Sequence, residues 1–184
     1  MTHDLTKVSK FLSLVLRHRP ERIGLVLDAN GWADIGHLIE RAGANGMALT
    51  REIVLQVVVT SDKQRFALDA AGLRIRANQG HSIDIDLGLE ASEPPAVLFH
   101  GTAVAAVASI RDGGLKPGRR RHVHLSPDVA TARKVGRRHG KPVVLRVQSG
   151  QMWAAGTKFY RAANGVWLTL AVQPEYIEFP QEQA

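Results

Sequence analysis

Two adjacent prolines, Pro94 and Pro95, stand near the middle of this 184-residue chain within the segment LGLEASEPPA, Leu87 to Ala96. Proline fixes φ and carries no backbone donor, so this stretch suits neither a helix interior nor an inner strand. The small polar residues around the pair suit an extended connector, and the chain is expected to divide there into lobes 1–90 and 91–184. An apolar fraction of 45% allows each lobe a core. Without a single cysteine there is no disulfide framework and no thiolate chemistry, so a reducing compartment is expected. No apolar run reaches the roughly 18 residues of a membrane helix, and Phe11 to Leu16 is too short for a secretory signal. A soluble cytoplasmic protein is the expectation.

Charge separates the lobes as clearly as the prolines do. The net charge is +7, yet Met1 to Ser92 holds 11 basic and 11 acidic residues, whereas Glu93 to Ala184 holds 13 against 6. Arg111 to Arg146 alone carries 11 Lys or Arg, opposed only by Asp112 and Asp128. Such a field attracts a polyanion or a phosphorylated ligand, although a solvated basic face would look the same.

In the first lobe, Leu5, Val8, Phe11, Leu12, Val15 and Leu16 repeat at helical spacing, and Lys7, Lys10, Arg17 and His18 fall on the adjoining arc. Pro20 must end that helix. A turn at Asn30-Gly31 leads to a second helix over Asp34 to Arg41, and Thr50 is placed to cap a third running to Val59. Arg65 to Leu68 and Leu73 to Ala77 read as a hairpin, with Phe66, Leu68, Leu73 and Ile75 inward and Arg65, Arg74 and Arg76 outward. Three helices followed by a basic hairpin resemble a winged-helix module.

The second lobe alternates short strands with helices, so the class is α+β. Strands are expected at Ala96 to His100, His122 to Leu125, Val143 to Val147, Val166 to Val172 and Tyr176 to Phe179, and a helix at Val104 to Asp112. Ser126-Pro127-Asp128 has the cap, first-turn proline and acid that start another helix. There is no GxGxxG and no GxxxxGK[ST], so neither a dinucleotide fingerprint nor a P-loop is supported. His100-Gly101-Thr102 is expected where a strand ends, the glycine letting a ligand approach the backbone. His122 and His124 share a face, but no third ligand completes a zinc site, so no metal is expected. Arg17 and His18 can be explained as helix C-terminal cations, and Arg119, Arg120 and Arg121 as an exposed loop.

Seven segments, SKFLSLVLRHRP, LDANGWADI, KQRFAL, RANQGHS, LFHGT, GLKPGRRRHVHLS and NGVWLT, occur in an order similar to that of the RNA 2'-phosphotransferase (KptA-type) family. The resemblance spans nearly the whole chain. It implies an N-terminal winged-helix lobe joined to a C-terminal ADP-ribosyltransferase-like lobe. It also implies removal of an internal, splice-junction type 2'-phosphate from RNA with NAD consumed as co-substrate. The products would be 2'-hydroxyl RNA, nicotinamide and ADP-ribose 1''-2''-cyclic phosphate, formed through an ADP-ribosylated RNA phosphate. The family's four catalytic side chains fall on Arg17, His18, Arg65 and one member of the arginine triplet, for which the spacing R-x-H-V-H-L selects Arg120. Gly118 departs from the bulkier residue, often Met, expected there.

His100, Gly101, Thr102, His124 and Ser126 take the NAD-binding positions by the same resemblance. Val166 stands where protein-modifying relatives carry a catalytic glutamate. Lys7, Lys10, Arg74, Arg76, Arg119 and Arg121 are expected to meet RNA, and a monomer is expected. A phosphate nucleophile is already an anion, so a missing carboxylate is chemically reasonable. Two rival readings stand beside this one: a nucleic-acid-binding regulator without turnover, and an ADP-ribosyltransferase acting on nucleic-acid ends or protein.

Overall fold

The computed structural model describes residues 4–61 and 63–180, which form two compact units, Met1–Gly88 and Leu89–Ala184. In the first unit, α1 (Leu5–Arg17) starts where the Asp4 carboxylate accepts from the Thr6 and Lys7 N–H groups at 2.9 and 3.2 Å. Its buried stripe is Val8, Leu12, Val15 and Leu16. His18 caps it, and Pro20 opens a short 3-10 turn, Pro20–Ile23, which ends at Gly24 with φ of 65°. Strand β1 (Ala33–Asp34) runs straight into α2 (Ile35–Ala44), because the Asp34 carboxylate caps the His37 N–H at 2.8 Å. Thr50 caps α3 (Arg51–Thr60) as expected.

Strands β2 (Phe66–Leu68) and β3 (Arg74–Ala77) pair antiparallel, with β1 on the far edge, in the order β1-β3-β2. Leu12, Leu16, Leu38, Val54 and Ile75 are fully buried between the helices and this sheet. Each contributes about 1.5–3 kcal/mol by leaving water. Leu73 does not join them and is 55% exposed. The Asp69 carboxylate accepts from the N–H groups of Leu73 and Arg74, at 2.8 and 3.0 Å, and so keeps Leu73 in the turn. The inward positions of β3 are Ile75 and Ala77.

The second unit holds two three-stranded antiparallel sheets. One has the order β4 (Leu98–Ala103), β6 (Pro142–Val147), β9 (Ile177–Glu178); the other β5 (Val123–Leu125), β8 (Trp167–Thr169), β7 (Tyr160–Arg161). Phe99 and Ser126 exchange backbone hydrogen bonds of 2.9 and 2.7 Å, which ties β4 to the end of β5. Helices α4 (Val107–Gly113), α5 (Val129–Gly136) and α6 (Ser149–Ala154) pack around a core that includes Leu98, Leu125, Leu145, Met152 and Phe159. The chain is therefore of the α+β class. Among the described residues no helix is long and apolar enough to cross a membrane.

Three local expectations yield to tertiary contacts. The first strand of this unit does not stop at His100 but continues to Ala103, because β6 pairs with it along its whole length. Ser126 is not the cap of α5; its backbone is taken by Phe99, and the Asp128 carboxylate caps instead, accepting from the Thr131 N–H at 2.7 Å. The expected strand over Val166 to Val172 shrinks to Trp167–Thr169, with Leu170 64% exposed. Helix α6 and strand β7 are additions that periodicity did not indicate.

Candidate active site

In the first unit, α1 delivers Arg17 and His18 to the end of the β2–β3 hairpin. The Arg17 Nη2 donates to the Arg65 carbonyl oxygen at 3.2 Å, and its guanidinium lies 5.8 Å from the centre of the Phe66 ring. That carbonyl also accepts from the Asn78 N–H at 3.0 Å. The loop after β3 then folds back on the helix end. The Ser82 N–H donates to the Arg17 carbonyl at 2.9 Å, while its hydroxyl lies 2.9 Å from His18 Nδ1. Gly80 passes Arg17 with φ of +88°, a backbone state that favours glycine. Residues 17, 18, 65 and 78–82, far apart in sequence, thus form one cluster.

His81, 4% exposed, sits in that cluster and titrates at about 4. Burial is the main cause, and the positive charges of Arg17, His18 and Arg76 push the same way. His81 and Ser82 belong to the segment RANQGHS, and neither is marked as a functional residue by sequence pattern alone. Their visible signal was a run of polar residues directly after a strand.

The basic residues expected to meet RNA divide into two kinds. Arg74 bonds Asp69 at 3.0 Å, reaches Asp28 at 3.4 Å and lies 5.5 Å from the Trp32 ring centre. Arg76 stacks on the same ring at 4.6 Å and donates to the Leu87 carbonyl at 3.3 Å. Both hairpin arginines are thus engaged within their own unit while staying on the outward face of β3, and the Arg74 side chain remains 49% exposed. Lys7 and Lys10 are exposed on α1. Lys10, with His18 and Arg65, lines a groove of about 540 Å³ along α1 and α3.

In the second unit, the Nδ1–H of His100 donates to the His124 carbonyl at 3.0 Å, so β4 and β5 together select its tautomer. Its pKa is lowered, chiefly by burial and further by the charges of His139 and Arg120; the hydrogen bond opposes these. His100 is therefore a neutral imidazole whose Nε2 can accept a hydrogen bond. Thr102, two residues on, is buried. Gly101 between them also carries a packing constraint. A Cβ there would stand 1.7 Å from the Ala132 oxygen, and one on Gly136 would stand 2.7 Å from the Thr102 oxygen. This close approach is made by α5.

Arg119, Arg120 and Arg121 are all exposed. Arg120 closes a turn on the Pro117 carbonyl at 3.1 Å, and it is the triplet member whose charge bears on His100. Its own pKa is lowered by desolvation and then by Arg138. Gly118 takes φ of +62° in that turn, a left-handed state that a bulkier residue would strain. His124 is half-buried on β5, whereas the His122 ring meets Tyr160 edge-on at 5.8 Å. Val166 lies just before β8, where its N–H donates to the Asn164 side chain at 3.4 Å.

An α+β chain with clustered Arg and His side chains on each of two units suits chemistry on an anion. Residues 3–171 match the profile of the RNA 2'-phosphotransferase, Tpt1 / KptA family. The protein of Hahella chejuensis named "Probable RNA 2'-phosphotransferase" is 55% identical over 177 residues, covering 96% of this chain and 95% of its own. Those of the same name from Agrobacterium fabrum and Acaryochloris marina are 56% and 54% identical, over 94% and 96% of this chain and 92% and 97% of theirs. The chain belongs to the RNA 2'-phosphotransferase, Tpt1 / KptA family, and as a member it is an enzyme of the transferase class.

Proposed function

We propose that this protein removes an internal 2'-phosphate from RNA and transfers it to NAD, releasing 2'-hydroxyl RNA, nicotinamide and ADP-ribose 1''-2''-cyclic phosphate. The observation that carries this reading is the cluster of Arg17, His18 and Arg65, held by the loop 78–82. His18 and Arg65 also line a groove that has no Asp or Glu among its described lining residues. Such a cluster suits a phosphate better than a neutral or cationic group.

In this reading Arg17, Arg65 and Arg120 neutralise the RNA 2'-phosphate. One of its oxygens attacks C1'' of the nicotinamide ribose of NAD, and nicotinamide leaves as a neutral base. The adjacent ribose 2''-hydroxyl then attacks phosphorus, and the RNA 2'-oxygen leaves with a proton that His18 supplies. His100 and Thr102, with His124 and Ser126, are the residues we assign to NAD. The fit rests on His100: its Nδ1–H is committed to the His124 carbonyl, so its Nε2 is an acceptor for a ribose hydroxyl. Val166 brings no carboxylate to its position, in keeping with a substrate that needs positioning rather than activation.

The first lobe, 1–90, is read as a winged-helix lobe that receives RNA, supported by three helices and the β1-β3-β2 order. The second, 91–184, is read as an ADP-ribosyltransferase-like lobe that receives NAD, supported by two short sheets tied at Phe99 and Ser126. We read the enzyme as a cytoplasmic monomer, which suits a chain without cysteine.

The test is to incubate the protein with NAD and an RNA bearing one internal 2'-phosphate, then identify every product. Cyclic phosphate and 2'-hydroxyl RNA are expected in equal amounts. A stable ADP-ribosylated RNA without cyclic phosphate identifies an ADP-ribosyltransferase instead, and bound but unaltered RNA identifies a regulator.

A further inference from the structure

The groove beside His18 and Arg65 is larger than a phosphate requires. Its wall on α1 consists of two neighbouring rows at i, i+4 spacing: Thr6, Lys10, Leu14 and His18 in one, Leu5, Ser9 and Ser13 in the other. At about 100° per residue, Thr6, Ser9 and Ser13 fall within an arc of about 60°. From His18 to Thr6 the helix rises about 18 Å. A phosphate held at the His18–Arg65 end leaves the rest of this length for whatever the phosphate is attached to.

Hydroxyls recur along the lining, between the apolar side chains of Leu5, Leu14 and Val57. Thr60 and Ser61, at the end of α3, add two hydroxyls across from α1, with Val57 below them. The Thr60 hydroxyl is spent on the Gln56 carbonyl at 2.7 Å, and that of Ser61 accepts from Arg65 at 3.4–3.5 Å. By contrast, the hydroxyls of Thr6, Ser9 and Ser13 make no side-chain hydrogen bond among the described residues, although serine inside a helix often turns back to its own backbone. These three hydroxyls can both donate and accept, which matches ribose hydroxyls and phosphate oxygens. Lys10 supplies positive charge, and the described lining residues include no Asp or Glu to oppose it and no Phe, Tyr or Trp to stack a base.

We infer that this groove binds the sugar–phosphate backbone of the single-stranded nucleotides adjoining the 2'-phosphate, through Thr6, Ser9, Lys10 and Ser13. The inference rests on the proposed RNA 2'-phosphotransferase reading and adds to it a second contact with the same substrate. Recognition of backbone alone makes the enzyme tolerant of the sequence next to the junction.

The test compares kcat/KM for a 2'-phosphorylated dinucleotide with that for a longer single strand carrying the same junction. Ser9→Ala/Ser13→Ala removes two hydroxyls while raising helix propensity, so folding is retained, and Ser13→Phe fills the groove. For wild type the longer strand is expected to have the higher kcat/KM. In both variants the ratio of long to short should fall about tenfold, through KM rather than kcat. Equal effects on both substrates, or none, overturn the groove and leave the reaction intact. A wild-type protein that transfers phosphate from neither substrate overturns the reaction, and the groove with it.

Discussion

At the scale of single residues, the contrast within the arginine triplet is the sharpest. Arg119 and Arg120 are both exposed, but Arg120 lies where its charge reaches His100. Removing one preorganised donor to transition-state charge costs about 2.7–4 kcal/mol, or roughly 100- to 1,000-fold in rate. Arg120→Ala should show a loss of that size in single-turnover rate, and Arg119→Ala should stay within a few-fold of wild type. Equal small effects would return both to a solvated loop. Ser82 offers a second residue-level test, because its hydroxyl holds His18 Nδ1 while its N–H holds the Arg17 carbonyl. Ser82→Ala keeps the backbone bond and loses the hydroxyl beside His18 Nδ1. It should lower kcat by about tenfold with KM little changed, and Ser82→Thr should restore it. A Ser82→Ala enzyme with wild-type kcat and pH profile would show that Ser82 does not position His18.

At the scale of elements, the packing of α5 on β4 depends on two glycines facing each other. A Cβ on Gly101 meets the Ala132 oxygen at 1.7 Å, so strand or helix must move. Forcing volume into a packed contact costs about 1–3 kcal/mol. Gly101→Ala should therefore lower the denaturant midpoint of the second unit. Full stability with selective loss of NAD binding would restore the glycine's role as a ligand contact.

The loop after β3 makes a pH-dependent contribution to the first unit. In the unfolded chain His81 takes up a proton near 6.5, but in the folded protein only near 4, because of burial and the adjacent cations. Protons therefore favour the unfolded state between those values. Stability should fall as pH drops from about 6.5 to about 4, by up to about 3 kcal/mol from this residue. Carboxylates also titrate in that range, so the quantity to measure is the difference between wild type and His81→Gln. Parallel curves would mean that folded His81 is protonated normally.

At the scale of the whole molecule, the charge surplus belongs to the residues after Ser92. RNA binding through such residues releases counterions, so kcat/KM for RNA should fall steeply as salt rises. Arg137 and Arg138 follow α5 and are exposed, but only Arg138 bears on Arg120. Arg137→Gln should reduce the salt slope without changing the rate at saturating RNA. Arg138→Gln should reduce both. A salt-independent kcat/KM would remove the electrostatic account of RNA capture.

Features with short-range causes were legible from the chain itself. The stripe Val8, Leu12, Val15, Leu16, the stop before Pro20, the Thr50 cap and the α+β alternation depend on neighbours within a turn or two. The candidate site residues were named by the order of seven segments, not by any geometry. What neighbours do on distant segments was invisible. Leu73 leaves the core because Asp69 holds the turn, and Asp128 displaces Ser126 as a cap because Phe99 claims the Ser126 backbone. Gly101 suited a turn equally well, until β6 and α5 closed on it from two sides. Arg17 meets the Arg65 carbonyl across 48 positions, and His18 meets Ser82 across 64. Periodicity and caps are encoded within a few residues, whereas a long-range hydrogen bond or backbone contact is chosen only when folding removes the competing partner, water.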